Sequence, residues 1–108
     1  MNIFEIYKKK IQDTVIANCK NLNIDPKVNF EGVVIEIPPQ KFNFDLSSNI
    51  ALVLAKKIKQ PPVKLANLIK NIILKDLIDF SEIEIAGPGF INFRFNSKTY
   101  QKLILEII

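Results

Sequence analysis

Apolar residues near the start of the chain recur at helical intervals. Phe4, Tyr7, Ile11, Val15 and Leu22 share one face, with Ile3 and Ile6 beside them. Asn2 and Glu5 have the spacing of a capping box, and Asn21, Asn23, Asp25 and Pro26 end the helix. The period then changes from about 3.6 to 2: Val33, Ile35 and Ile37 alternate with Val34 and Glu36, which predicts a strand. Pro38 and Pro39 remove two donors and stop it. Val28 and Phe30 have the opposite parity to Val33, so Gly32 is expected at a bulge or strand break. Residues 38–45 read as an ordered loop carrying two exposed aromatics, Phe42 and Phe44.

Two helices follow. The first has the stripe Leu46, Ile50, Val53, Leu54 and Ile58, with Asp45, Ser47 or Ser48 as its cap. The second opens on Pro61 and Pro62, where first-turn N–H groups are unneeded. Its stripe is Leu65, Leu68, Ile69, Ile72 and Ile73, leaving Lys64, Asn67, Lys70 and Asn71 to solvent. A β-hairpin is predicted over 82–86 and 90–95, joined by Gly87-Pro88-Gly89. Ser97 then caps a last helix whose Tyr100, Leu103, Ile104 and Ile107 share a face. The chain ends on Leu-Ile-Leu-Glu-Ile-Ile, which suggests a fragment of something longer. The expected class is α+β, with a small antiparallel sheet packed against several helices in a single domain over 1–108.

Composition narrows the chemistry. The 108 residues are 48% hydrophobic and 24% charged, typical of a soluble globular domain. The longest apolar run, residues 50–55, is far short of a membrane span, and no signal-type stretch follows Lys8, Lys9 and Lys10. A cytoplasmic protein without membrane contact is therefore expected. There is no histidine, and Cys19 is the single cysteine. That removes the commonest general base, nucleophile–histidine hydrolysis and Cys-rich metal sites. No glycine-rich phosphate loop, metal ligand set or acid–base pair appears, so no catalytic or metal-binding residue is assigned.

The net charge of +4 is weak evidence by itself, because Ile, Lys and Asn supply 44 of the 108 residues, a bias that AT-rich coding alone produces. Its distribution is more informative. Residues 41–75 hold seven lysines and one acid, whereas residues 76–86 hold four acids and no base. One basic face and one acidic edge are implied.

Two places could carry recognition. In Phe90-Ile91-Asn92-Phe93-Arg94-Phe95, strand alternation puts Ile91, Phe93 and Phe95 on the core side. Phe90, Asn92 and Arg94 then form an outward row: a stacking platform, an amide able to pair with a base edge, and a cation for phosphate. The competing reading is ordinary surface, with Phe90 packed under a neighbouring helix. The second place is the loop Gln40-Lys41-Phe42-Asn43-Phe44-Asp45, where Lys41 and Asn43, flanked by aromatics, precede a helix and could meet a backbone phosphate. Phe42 or Phe44 could equally anchor the loop to the core, and Asp45 reads as a helix cap.

Three segments in order resemble the N-terminal domain of arginyl-tRNA synthetases. Asn43-Phe44-Asp45-Leu46-Ser47-Ser48-Asn49-Ile50-Ala51, with Leu54-Ala55-Lys56-Lys57 after it, is similar to that family's Gly-Asp-(aromatic or Leu)-x-(Ser/Thr)-Asn-x-Ala…Leu-Ala-Lys pattern. Pro61/Pro62 with Leu65-Ala66…Ile69 resembles Asn-Pro-x-x-Ile-Ala-x-x-Ile. Ile83-Glu84-Ile85-Ala86-Gly87-Pro88-Gly89-Phe90-Ile91-Asn92 resembles Val-Glu-Ile-Ala-Gly-Pro-Gly-Phe-Ile-Asn almost residue for residue. The likeness spans essentially the whole chain. Phe44 departs from it, standing where the family usually has glycine, so a changed backbone is expected there.

The resemblance implies a domain that docks on the outer corner of tRNA(Arg) and touches its D loop. Phe90 and Asn92 would contact a D-loop base, the same two residues that strand parity selects. It also implies a class I catalytic core elsewhere in the same polypeptide, using ATP with magnesium and arginine. The His-x-Gly-His signature of that core cannot lie in a chain without histidine. The 108 residues would then be catalytically silent alone, with tRNA and the core as partners and no DNA. The alternative is a free-standing small module that binds RNA or protein.

Overall fold

A computed structural model describes residues 2–39, 41 and 43–107, with the side chain of Ile107 also outside the description. Gln40 and Phe42 of the candidate loop therefore lie outside the described residues. In order, the elements are α1 (Ile3–Ala17), α2 (Cys19–Leu22), β1 (Ile35–Glu36), β2 (Leu46–Ser48), α3 (Ile50–Ile58), α4 (Pro62–Asp76), β3 (Phe80–Ala86), β4 (Phe90–Phe95) and α5 (Ser97–Ile107). The strands form one antiparallel sheet in the order β1-β2-β4-β3, and α1, α3 and α4 pack against it. The α+β class is the expected one. No described helix is long and apolar enough to cross a membrane.

α1 begins as its capping pattern predicts, with the Glu5 N–H donating to Asn2 Oδ1 at 3.2 Å. Tyr7, Ile11 and Val15 are buried, and the stripe continues through Cys19 and Leu22 of α2 after a break at Asn18. Phe4 and Ile6 stay exposed, because they lie off the buried stripe. Asn23, in the left-handed conformation, closes α2. In α4, Leu65, Ala66, Ile69 and Ile73 are buried, while Leu68 is exposed and Lys70 half-buried. One layer of side chains joins the helices to the inner sheet face. Tyr7, Phe80, Phe93 and Phe95 form its aromatic part, with ring centroids 4.9–5.7 Å apart.

Four local expectations need correction. Leu46, Ser47 and Ser48 form a central strand instead of opening a helix. Leu46 lies opposite Phe93 and Ser48 opposite Ile91, so β2 satisfies the free edge of β4. Asp45 does not cap α3, since its Oδ2 accepts from the Phe95 N–H at 2.9 Å. Ser48 Oγ does support the start of α3, accepting from the Ile50 N–H at 3.1 Å.

The second correction shortens the predicted strand over 33–37 to Ile35–Glu36. Asn49 explains this: its Oδ1 accepts from Val34 N–H at 2.8 Å and its Nδ2 donates to Gly32 O at 3.0 Å. Ser48 Oγ donates to Val34 O at 3.0 Å, so side chains replace the ladder at that end. Third, β3 starts at Phe80, with an irregularity between Phe80 and Glu82. Fourth, α5 is capped by Asn96, whose Oδ1 accepts from Thr99 N–H at 2.8 Å, and Ser97 lies inside the helix. Leu103 packs on the core, whereas Tyr100 and Ile104 are exposed.

Candidate nucleic-acid interface

Alternation along β4 separates its two faces. Ile91, Phe93 and Phe95 are buried in the core, which places Phe90, Asn92 and Arg94 on the outer face. Strand register extends this face sideways. Glu36 pairs with Ser47, Ser47 with Asn92, and Asn92 with Glu84, making one row across all four strands. On either side of that row, Phe90 pairs with Ala86 and Arg94 with Glu82.

A cleft of about 380 Å³ lies over the middle of the row, lined by Glu36, Ile37, Pro38, Pro39, Ser47, Pro88, Phe90 and Asn92 among others. Phe90 is 37% exposed, whereas Asn92 is 4% and Ser47 7% exposed. Neither the Asn92 amide nor the Ser47 hydroxyl has a hydrogen-bond partner among the described residues, although no fully enclosed side-chain N or O atom there lacks one. Their polar atoms therefore open into the cleft. Buried polar groups are ordinarily paired, so a donor–acceptor pair facing an apolar-walled cleft is suited to a planar ligand with a polar edge.

The hairpin turn fixes Phe90. Gly89 has φ 141°, and a Cβ there would come within 3.2 Å of Pro62 Cβ and 3.3 Å of the Pro62 carbonyl. Glycine thus allows the turn to pack directly on the start of α4. The same contact brings the turn beside the α3–α4 connection and the first turn of α4, where Lys59 and Lys64 are exposed.

At the other end of β4, Arg94 is engaged internally. Its Nε and a terminal nitrogen donate to the Asn43 carbonyl at 3.2 and 2.9 Å, its other terminal nitrogen pairs with Glu82, and its guanidinium lies 4.6 Å from the centre of the Phe44 ring. Arg94 therefore pins the loop of Asn43 and Phe44 to the sheet. Asn43, not Phe44, takes the left-handed conformation in this loop, with φ 53°. Asparagine tolerates that region, which lets a bulky ring follow it where the related motif has glycine. Lys41 is exposed on the same loop, and Phe42 lies outside the described residues. The loop and the cleft line different parts of the outer face: a second hollow of about 420 Å³ is lined by Asn43, Asp45, Arg94, Ser97, Tyr100 and Gln101.

The charge polarity is visible as well. Lys57 is used structurally, donating to Asn29 O, Asn29 Oδ1 and Glu31 O at 2.7–3.1 Å, while Lys56, Lys59 and Lys64 are exposed. Glu82 and Glu84 form the acidic edge on β3. Ser47 is the site residue that sequence reasoning missed. Its signal becomes readable only when Leu46–Ser48 is taken as a strand, because alternation then turns Ser47 outward beside Asn92.

Comparison with known proteins agrees with the motifs. The family described as the arginyl tRNA synthetase N terminal domain matches residues 5–95. An arginine–tRNA ligase of Pelagibacter ubique is 34% identical over 107 residues, covering 99% of this chain and 18% of the relative. One of Mesomycoplasma hyopneumoniae is 41% identical over 102 residues, covering 94% and 18%. One of Rickettsia akari is 39% identical over all 108 residues, again 18% of its length. The chain thus spans less than a fifth of these relatives.

Proposed function

Because the chain belongs to the arginyl-tRNA synthetase N-terminal domain family, we propose that it is the tRNA-docking part of a cytoplasmic arginine–tRNA ligase. In this reading it holds the D loop of tRNA(Arg) while the rest of the ligase joins arginine to the tRNA at the expense of ATP. ATP, magnesium and arginine are assigned to that remainder, since a chain without histidine cannot supply the family's His-x-Gly-His signature. The observation that carries the reading is Asn92: a 96% buried residue whose amide has no hydrogen-bond partner among the described residues and opens into a cleft beside the half-exposed ring of Phe90. A splayed base stacked on Phe90 would present its edge to Asn92. Exposed Lys56, Lys59 and Lys64 would attract the backbone, with Lys41 and Asn43 beyond the Arg94–Phe44 pin offering a further phosphate contact.

The test is equilibrium binding of an unmodified tRNA(Arg) transcript to the chain and to Asn92→Ala. Loss of the amide should weaken binding by about 1–3 kcal/mol and reduce discrimination at one D-loop position. A folded Asn92→Ala protein that binds every D-loop variant as the parent does would defeat this function.

A further inference from the structure

We propose that the hollow at the Arg94 end of β4 is a ribose site, which takes the sugar of a nucleotide next to the one in the cleft and reads its 2′-hydroxyl through Asp45. The inference rests on the preceding reading that a D-loop nucleotide enters the cleft, and it adds a second subsite of different chemistry. The hollow, about 420 Å³, is lined by Asn43, Asp45, Arg94, Ser97, Tyr100 and Gln101 among others. It adjoins the cleft. Asn92 lines the one and Arg94 the other, and these residues share a strand face about 6.6 Å apart along β4.

Asp45 is the group that identifies the ligand. It is held from two sides: its N–H donates to Phe93 O at 2.9 Å, and its Oδ2 accepts from the Phe95 N–H at 2.9 Å. Its Oδ1 has no hydrogen-bond partner among the described residues, and no ion pair there engages it. Arg94 stands on the same wall, yet its guanidinium is turned to the Asn43 carbonyl and to Glu82. No fully enclosed side-chain N or O atom among the described residues lacks a partner, so the Oδ1 of this half-buried residue opens to the hollow. A carboxylate oxygen fixed in this way is a strong acceptor waiting for a donor.

The other side chains facing it are neutral. The Ser97 and Tyr100 hydroxyls and the Gln101 amide can each donate and accept, and none has a hydrogen-bond partner among the described residues. A phosphate would meet the Asp45 carboxylate, so the hollow disfavours it. A ribose carries no charge, and its 2′-hydroxyl can give a proton to Asp45 Oδ1 while its oxygen accepts from the Gln101 amide. The half-exposed Tyr100 ring offers an apolar wall to the C–H groups of the sugar. The 2′-hydroxyl is also the group that separates RNA from DNA, so this subsite would make docking specific for RNA.

The experiment titrates the parent chain, Asp45→Asn, Gln101→Ala and Phe90→Ala with synthetic tRNA(Arg) in which one D-loop nucleotide at a time carries 2′-deoxy or 2′-fluoro ribose. These sugars pucker in opposite senses and both lack the hydroxyl proton, so a penalty common to both reports the lost donor. One nucleotide is expected where both weaken binding roughly tenfold, the scale of a hydrogen bond to a charged group. Exchanging the base there should matter little. In Asp45→Asn the amide oxygen can keep the Phe95 N–H, so the protein should stay folded while most of the penalty disappears. Gln101→Ala, at an exposed helix position, should shrink the same penalty, and it decides the matter if Asp45→Asn fails to fold. The proposal is overturned if Phe90→Ala impairs binding but every modified sugar is tolerated, or if the penalty persists in folded Asp45→Asn or in Gln101→Ala. It is overturned as well if the base and not the hydroxyl decides binding at that nucleotide. If Phe90→Ala leaves every tRNA bound as by the parent, the reading of the cleft as a base site has failed, and this one with it.

Discussion

Alanine at Phe90 and at Phe93 should produce opposite signatures, although the residues are three apart on one strand. Phe93 is 0% exposed and its ring lies 4.9 Å from that of Phe80. Truncation leaves a cavity under the sheet and should cost about 3–5 kcal/mol. At roughly 4–8 °C per kcal/mol for a domain of this size, the melting midpoint should fall by more than about 12 °C. Phe90 is 37% exposed on the other face. Full burial of a phenylalanine is worth about 1.5–3 kcal/mol, and its partial burial scales that to roughly 1–2 kcal/mol. Its larger effect should be on RNA: losing a base-stacking ring should weaken tRNA binding by about 1–3 kcal/mol, or roughly 5- to 150-fold. Circular dichroism melts and fluorescence anisotropy with a labelled tRNA(Arg) transcript measure the two quantities on the same samples. Phe90→Ala unfolding as readily as Phe93→Ala would refute the face assignment. A folded Phe90→Ala protein with parental affinity would refute the stacking role.

Asn49→Ala removes the side chain that bonds Val34 N–H and Gly32 O, and should cost about 1–3 kcal/mol in urea denaturation without touching the cleft residues. Gly89→Ala forces a side chain into the Pro62 backbone at φ 141°, and should destabilise by about 1–3 kcal/mol while also lowering tRNA affinity through the adjoining Phe90. Tyr7 should give the protein an alkaline limit. Burial first, then its 2.8 Å hydrogen bond to Asp79, raises its pKa above the ordinary tyrosine value of 10.0. Its neutral form is thus favoured by folding, so its contribution is complete below about pH 10 and is lost as pH rises further. Urea midpoints of Tyr7→Phe should accordingly fall less steeply than the parent's above that pH. tRNA affinity should fall with a shallow log–log salt slope, about −1.5 to −2 for two or three single-strand phosphate contacts, and anisotropy titrations from 50 to 200 mM salt should show roughly a tenfold loss.

The long periodic elements were readable because their burial is decided locally. Tyr7, Ile11 and Val15 follow the helix period, and the residues of β4 follow the strand period, so the face carrying Phe90 and Asn92 emerged from alternation alone. β2 did not emerge because Leu46–Ser48 adjoins a helical stripe, and three residues cannot distinguish a period of 2 from one of 3.6. What makes it a strand is the edge of β4, more than forty residues away in sequence. The same distance hid the role of Asp45, whose partner is Phe95, and the hold of Arg94 on Asn43 and Phe44. Ser47 was concealed by the misassigned strand. The hairpin turn marked the pairing of Glu84 with Asn92, but the pairing of β2 with β4 and of β1 with β2, which carries the row on through Ser47 to Glu36, has no local signature.

On the proposed reading, the two charge territories have separate tasks. Exposed lysines around the α3–α4 connection lie beside the hairpin turn, because Gly89 rests on Pro62. They would draw in a phosphate backbone over a Debye length of about 8–10 Å without regard to sequence. The carboxylate of Glu36 lines the cleft beside Ser47 and opposes entry of any phosphate into it. A neutral base suffers no such repulsion. Attraction next to the cleft and repulsion within it would therefore turn the strand outward, base first, onto the ring of Phe90. Because Phe90 and Asn92 stand on a paired central strand and the turn is packed on α4, little ordering would be needed on binding. A modest number of contacts could then discriminate between base edges even where overall affinity is weak.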